Sequence, residues 1–206
     1  ARGKCIRFPV IDVRVFKSRD SVGVRGIRLV GGDELIAMSI LGHVETDSNT
    51  RENYLRWSNA RRRAEGDGEG EGDPLPMPPQ AEAMAESEQF VLSITQNGYG
   101  KRTSAYEYRV TGRGGQGIIN IETSDRNGPV VASAPIGEDH HIMLVTDTGR
   151  LIRIPVHDIR IAGRNTQGVT LFDVEPNERV VSVAWLSEKA SGDGNDDSGL
   201  DDGADG

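Results

Sequence analysis

A chain of 206 residues with 35% hydrophobic residues can build a core for one or two domains. Its single cysteine excludes a disulfide framework and a cysteine-based zinc site, and no apolar run approaches the roughly 18 residues of a membrane span. The net charge of −8 argues against a nucleic-acid partner only until it is divided. Residues 187–206 hold seven acids against one base, and residues 43–89 hold eleven acids against five bases. The remainder is mildly basic, and its excess sits in residues 1–42, where eight bases face four acids. Twenty-six glycines with only 5% aromatic residues fit turn-rich β-structure better than a helical bundle.

Residues 3–16 (GKCIRFPVIDVRVF) read as a turn glycine followed by short strands. Cys5, beside Ile6, is expected as a buried structural thiol. A Gly-containing loop leads to an apolar strand at Gly26-Ile27-Arg28-Leu29, and Gly31-Gly32-Asp33 separates it from a last strand over Leu35 to Leu41. The turn at Gly3 has no strand before it. Residues 1–42 therefore read as a unit without its opening strand, and the sequence as part of a longer protein.

Residues 43–89 are an insertion. Asp47, Ser48 or Thr50 is a candidate N-cap, and Arg61-Arg62-Arg63 follows Tyr54, Leu55, Trp57 and Ala60, which predicts a short helix over 47–63. Glu/Gly alternation and then prolines over 64–80 predict a disordered acidic linker. A further helical turn or two fits Ala81 to Ser87.

Residues 90–137 and 138–186 repeat the first unit in full. Phe90 to Thr95 and Ile142 to Thr146 are β-branched-rich strands that lead to tight turns at Asn97-Gly98 and Asp147-Thr148-Gly149. Arg109 to Arg160 and Gly117 to Gly168 are both separations of 51, and the separation of 95 from Arg14 to Arg109 exceeds that by close to the length of the insertion. A unit of about 50 residues and four strands reads as a propeller-like blade. Trp185, in Val183-Ala184-Trp185-Leu186, is expected in the core or between blades. The Gly/Asp/Ser-rich tail 187–206 is expected to be disordered.

Catalytic constellations are poor. His43, His140, His141 and His157 match no metal-ligand spacing, and there is no nucleophile elbow or phosphate-binding P-loop. Gly112-Arg113-Gly114-Gly115-Gln116-Gly117 precedes a strand rather than a helix, so it is no dinucleotide loop. Basic residues recur instead: Lys4, Lys101 and Arg150 after a turn glycine, Arg7 and Arg153 in the strand, Arg14, Arg109 and Arg160 in the next, Arg113 and Arg164 in the loop. Arg25 and Arg102 lie in the same motifs. Two readings stay open on the residues alone. The charges form an arc that duplex phosphates follow, or they are solvated strand faces that guard edges. The Trp57 helix likewise either docks on a blade or contacts nucleic acid or a partner.

Gln96-Asn97-Gly98-Tyr99-Gly100-Lys101-Arg102-Thr103, Gly163-Arg164-Asn165-Thr166-Gln167-Gly168-Val169 and Gly23-Val24-Arg25-Gly26-Ile27-Arg28-Leu29 closely resemble the C-terminal domain of DNA gyrase A. The resemblance covers 1–42 and 90–186. It implies an all-β fold: a six-bladed β-pinwheel, of which this chain would hold the last three blades and the acidic tail. It also implies wrapping of double-stranded DNA on a basic perimeter, with Lys4, Arg7, Arg14, Arg25, Lys101, Arg102, Arg109, Arg113, Arg150, Arg153, Arg160 and Arg164 as the DNA-binding set. The parent would be a bacterial type IIA topoisomerase that supercoils DNA negatively with ATP and magnesium. In it, DNA gyrase B and a second gyrase A polypeptide would complete a heterotetramer on the cytoplasmic chromosome, away from membranes. No catalytic, cofactor or metal residue is expected in this stretch. The family's Gln-basic-basic-Gly-Gly-basic-Gly box is absent, and Gly112 to Gly117 resembles a degenerate echo of it. The alternatives are the related C-terminal domain of topoisomerase IV, or a protein-interaction scaffold that uses the acidic tail and the Trp57 helix. On the wrapping reading, the acidic tail is expected to compete with DNA for the basic perimeter.

Overall fold

The computed structural model describes residues 1–66 and 73–187; the Glu/Gly-rich stretch 67–72 and the expected disordered tail from 188 onward lie outside the described residues. In chain order the elements are β1 (Lys4–Cys5), a 3-10 turn over Val10–Asp12, helices α1 (Ser48–Ala64) and α2 (Ala81–Glu86), β2 (Phe90–Thr95), β3 (Tyr99–Ser104), a 3-10 turn over Ala105–Glu107, β4 (Ile118–Ile119), β5 (Val130–Ile136), β6 (His140–Thr146), β7 (Leu151–Pro155), a 3-10 turn over Val156–Asp158, β8 (Val169–Thr170) and β9 (Val180–Ser187).

The blades are not self-contained. In the central sheet the strand order is β5-β2-β3-β8, so three strands come from the second repeat and the outer one from the third. The third strand of the second and of the third repeat leaves its own unit and joins the second strand of the repeat before it. The same exchange puts β4, from the second repeat, against β1, from the first, with Lys4 opposite Ile119 and Cys5 opposite Ile118. The third repeat keeps its own three strands in the order β7-β6-β9. Contiguous four-stranded units, the expectation from the period, are thus corrected to sheets that interlock across each boundary.

The turn glycines make the exchange possible. Gly3, Gly98 and Gly149 all have positive φ (75°, 78° and 86°), as hairpin turns require. The Gly98 carbonyl accepts the Leu171 and Phe172 N–H groups at 2.9 and 3.2 Å, and the Gly3 carbonyl accepts those of Asn120 and Ile121 at 2.8 and 3.2 Å. A Cβ on Gly98 would collide with the Phe172 backbone oxygen, and one on Gly3 with that of Ile121. At Gly149 a Cβ would meet nothing within 4 Å.

The expected strands over 26–29 and 35–41 do not form. In the complete repeats the fourth strand pairs with the first, β5 with β2 and β9 with β6. Leu35 to Leu41 has no such partner among the described residues. Leu35, Met38 and Ile40 are accordingly 67%, 89% and 81% exposed.

Period-2 alternation carries the core. Ile142 and Leu144 of β6 and Leu92 and Ile94 of β2 point inward onto Val156, Ile159, Phe172 and Val180. Each such side chain contributes about 1.5–3 kcal/mol on burial. Trp185 departs from its core expectation. It is exposed on β9, whereas its counterpart strand β5 is half-buried along its length with β9 packed near it.

The insertion builds a second small core of Tyr54, Trp57, Ala81, Met84 and Tyr106. Asp47 caps α1 by accepting from the N–H groups of Asn49 and Thr50 at 2.8 and 2.9 Å. Buried Arg62 donates to Glu88 at 2.9 Å, and the Tyr54 hydroxyl donates to the same Glu88 oxygen at 2.8 Å. The Tyr106 ring stacks edge-on to Tyr54 at 5.3 Å, so α1 is fixed on the 3-10 turn of the second repeat.

Gly149→Ala should cost about 1–2 kcal/mol, the ordinary penalty for a left-handed residue with a Cβ. Gly98→Ala adds a backbone collision at the exchanged strand and should lower the urea midpoint distinctly further. Equal midpoints for the two variants would show that the exchange does not depend on this turn.

Candidate nucleic-acid interface

Positive φ fixes the register of the repeats. Gly3, Gly98 and Gly149 are equivalent, so Lys4 and Arg150 correspond to Tyr99 rather than to Lys101. The true counterparts of Lys101 are Ile6 and Ile152. The constant offset of 95 that relates Arg14 to Arg109 carries Gly3 to Gly98, so this register was available in the sequence.

Two of the twelve expected DNA-binding residues are buried, and this corrects their assignment. Lys101 is 0% exposed, and its ammonium donates to the carbonyls of Gly163, Arg164 and Thr166 at 2.6, 2.8 and 3.2 Å. Arg102 is 2% exposed, and it donates to the Ile159 and His157 carbonyls at 2.6 and 3.2 Å and to Glu138 at 3.1 Å. Both side chains lie under the third repeat, and their charges are spent on backbone carbonyls across the boundary. Half-buried Arg7 plays the part of Arg102 one boundary earlier, donating to the Ala105 carbonyl at 2.9 Å and the Gly42 carbonyl at 2.8 Å.

Two further arginines are engaged while keeping some exposure, Arg164 across the boundary and Arg150 within its own repeat. Arg164 donates to the Ile119 carbonyl at 2.8 Å and lies 3.6 Å from Glu107. Arg150 donates to Glu178 at 2.6 Å and stacks over the Phe172 ring at 4.7 Å. Glu178, itself 1% exposed, also accepts from the Glu175 N–H at 2.8 Å and the Thr146 hydroxyl at 2.6 Å. These bonds, the Glu175 N–H foremost, pull its carboxyl down to about 2.

Lys4, Arg14, Arg25, Arg109, Arg113 and Arg153 are exposed, and Arg160 is half-buried. Five of the twelve converge on one structural feature, the loop that leads from each 3-10 turn to the exchanged strand; Arg164 has its place there as well. The three loops, 14–26, 109–117 and 160–168, carry eight bases and one acid, Asp20. Lys17 and Arg19, both exposed, belong to this set and were missed because their loop has no close copy in the later repeats. Each later loop is tied to the repeat before it. Arg113 donates to the Asp12 and Arg25 carbonyls at 3.0 and 3.2 Å, tying the second loop to the first. The Glu122 N–H donates to the Thr166 carbonyl at 3.0 Å, tying the third to the second repeat. A cleft of about 200 Å³ opens at the first boundary, lined by Arg7, Arg109, Gly112, Gly115 and Gly117. Its Cys5 is half-buried and its thiol is pushed up to about 11 by burial, in keeping with a structural role.

Interlocked hairpin sheets with an acid-poor loop at each boundary define a propeller-like repeat module. A family model described as "DNA gyrase C-terminal domain, beta-propeller" matches residues 1–41, 89–136 and 140–184, and the chain belongs to this family. The all-β pinwheel expectation stands on that match. Similar relatives are the DNA gyrase A polypeptides of Granulibacter bethesdensis, 46% identical over 95% of this chain, and of Rickettsia bellii, 44% identical over 95%. That of Salmonella typhimurium is 34% identical over 91%. The chain spans 23%, 22% and 16% of those three proteins. Among solved structures, a DNA gyrase A C-terminal domain superposes with a TM-score of 0.45 at 25% identity, over 48% of this chain and 34% of that one. The C-terminal domain of DNA topoisomerase IV gives the same score and identity over 48% and 31%. No helix among the described residues is long and apolar enough to cross a membrane.

Lys101→Met strips several carbonyls of their donor and should cost roughly 2–4 kcal/mol in a denaturant titration. Arg109→Ala should stay within about 0.5 kcal/mol of wild type. Equal stability for both would mean that Lys101 is not a clamp. Because the folded Glu178 carboxyl titrates near 2 rather than at its ordinary 4.5, its share of stability is complete above that ordinary value. It is lost as pH falls through the window toward 2. Stability measured from about pH 5 to 2 should fall less steeply in Glu178→Gln than in wild type; parallel curves would remove Glu178 from the acid response.

Proposed function

We propose that this gyrase-type module binds and wraps duplex DNA along its boundary loops, and so assists ATP-dependent negative supercoiling by a bacterial type IIA topoisomerase. The observation that carries the reading is the eight bases and one acid of three loops, each later one tied to the repeat before it. Arginines and lysines there neutralise phosphates and release counterions, a contribution that depends on salt and not on sequence. The loops are anchored across each boundary by carbonyl contacts, so the charges keep a fixed curve. Bending duplex along it costs on the order of several kcal/mol, offset by the added phosphate contacts. Neither helix of the insertion is placed among the loop bases, so base readout in a major groove has no obvious agent and sequence preference should be weak.

The parent assembly, with DNA gyrase B, a second gyrase A polypeptide, ATP and magnesium, belongs to this proposal, as does a place on the cytoplasmic chromosome. No step on this chain's residues passes through ATP or magnesium. The module's part is to hold a DNA segment in a fixed direction for the catalytic parts.

Duplex affinity measured against salt should fall with a slope of about −0.9 per phosphate neutralised. Arg109→Ala and Arg19→Ala should each weaken binding for every duplex sequence and shallow that slope by about one. The clamp variant Lys101→Met should change affinity only as far as it unfolds the protein. Relaxing closed circular DNA in the presence of the chain separates wrapping from binding: a shift in linking number is expected, and an unchanged distribution would leave binding without wrapping. A salt-independent affinity would overturn the phosphate reading itself.

A further inference from the structure

The two boundaries between repeats are built alike, yet one is locked and the other is open. At the second boundary Lys101 fills the space between hairpin and loop. It is 0% exposed, and its ammonium reaches the Gly163, Arg164 and Thr166 carbonyls and, at 3.1 Å, the Thr166 hydroxyl. At the first boundary Ile6 stands where Lys101 does, and Gly115 stands where Thr166 does. Both side chains that close the second boundary are thus absent from the first, and Ile6 and Gly115 line the cleft of about 200 Å³.

The loop carbonyls there are not left waiting for a cation. Gly114 has a φ of 80°, as at the second central residue of a type II turn, whereas its counterpart Asn165 is not left-handed. The peptide between residues 113 and 114 is therefore turned over relative to that between 164 and 165, whose carbonyl accepts from Lys101. The Gly114 N–H donates to the Gly26 carbonyl, and the Gly115 carbonyl accepts from the Arg28 N–H at 2.8 Å.

What faces the cleft is positive. Arg7 and Arg109 line it, and no carboxylate does. Its Cys5 thiol, pushed up to about 11 by burial, stays uncharged at neutral pH. Arg7 commits one N–H to the Ala105 carbonyl and one to that of Gly42, and a guanidinium has further donors. Exposed Arg109 has no hydrogen bond or ion pair among the described residues. Burial foremost holds the Arg7 guanidinium below its ordinary pKa, and the Arg51 charge of α1 adds to this while Tyr106 opposes it. Arginines gathered in this way gain from an anion that accepts from both.

We propose that the first boundary holds a discrete seat for one phosphate group, accepting from Arg7 and Arg109, while the second boundary, closed by Lys101, has none. The assignment of that phosphate to bound DNA rests on the duplex reading above; a free phosphate would use the same donors. Unlike the loop bases, the seat is a shape as well as a charge, so it can be closed without removing a base.

Gly115→Thr closes it by copying Thr166. A Cβ at Gly115 would meet Ile6 Cδ1 at 3.6 Å, an ordinary contact, and the backbone there is not left-handed, so circular dichroism should report a folded chain. Nuclear magnetic resonance of the whole chain, titrated with inorganic phosphate at constant ionic strength, reads the seat. The amide signals of Gly112 and Gly117 should shift to saturation, and those of Gly163 and Gly168 should stay in place. Gly115→Thr should abolish the saturable shift with every base retained, and Arg109→Gln should abolish it by removing a donor. Duplex then identifies the source. If the phosphate is that of DNA, duplex displaces inorganic phosphate, and Gly115→Thr shallows the salt slope of duplex binding by about 0.9, the share of one phosphate. If duplex binds without displacing it, the seat stands and takes a free phosphate. A saturable cleft on a chain with no duplex affinity keeps the seat and ends the wrapping reading. Shifts that are absent, that never saturate, that appear equally at both boundaries or that survive Gly115→Thr would overturn the seat, and duplex binding that persists beside them would leave the wrapping reading in place.

Discussion

The exchange of one short strand across each repeat boundary is the constraint on which the rest of the structure depends. β4 and β8 are only two residues long, yet each completes a neighbour's hairpin and pulls its own repeat against it. The geometry tolerates no Cβ at the joined turns. The glycine there supplies positive φ and, at two of three turns, the room for a carbonyl-to-strand approach. Stability is then a property of boundaries more than of repeats, as in other arrays coupled through nearest neighbours. The first repeat shows the consequence. Its residues 35–41 have strand composition but no first strand to pair with among the described residues, and they stay outside any sheet.

Lys101 shows how a boundary positions charge. A desolvated ammonium is costly unless it is fully hydrogen-bonded. Here the carbonyls of Gly163, Arg164 and Thr166 surround it. Those carbonyls belong to the loop that carries Arg160 and Arg164. One buried cation therefore fixes the backbone that presents others. The Arg113 contacts to Asp12 and Arg25 do the same for the preceding pair of loops. Basic loops held in this way keep their spacing without being packed in a core.

Much of this is legible in the sequence. The 51-residue period, the turn glycines and the β-branched-rich runs at Phe90 to Thr95 and Ile142 to Thr146 define the hairpins, and Asp47 with its arginine-rich far end marks α1. The strand exchange is not legible, because periodicity reports that a strand recurs and is silent on which neighbour it joins. Trp185 escapes for a related reason: its side of β9 is a boundary face, and burial there depends on what lies beyond the strand rather than on the strand's own residues. Lys101 and Arg102 look exposed in the sequence because a two-residue slip in alignment equates Gly100 with Gly3. The positive φ at Gly98 settles the register that the offset of 95 between Arg14 and Arg109 already implies.

The deeper difficulty is that recurrence of a base at one place in each repeat has two physical origins. A wrapped polyanion would favour charge at equivalent outer positions. A repeated joint equally favours an arginine wherever carbonyls of the next repeat need a donor. Arg7 and Arg102 recur for the second reason, since both reach carbonyls at or beside the neighbour's 3-10 turn. Arg14, Arg109 and Arg160 recur at a place beyond that turn, on the loops where acids are nearly absent. The distinguishing mark is therefore the company a base keeps rather than its period. A clamp lies among apolar residues and carbonyls within a strand, whereas the proposed phosphate contacts lie in glycine-rich loops with other bases and few acids. By that criterion Lys17 and Arg19, which recur nowhere, belong with the loop set, and Arg102, which recurs throughout, does not.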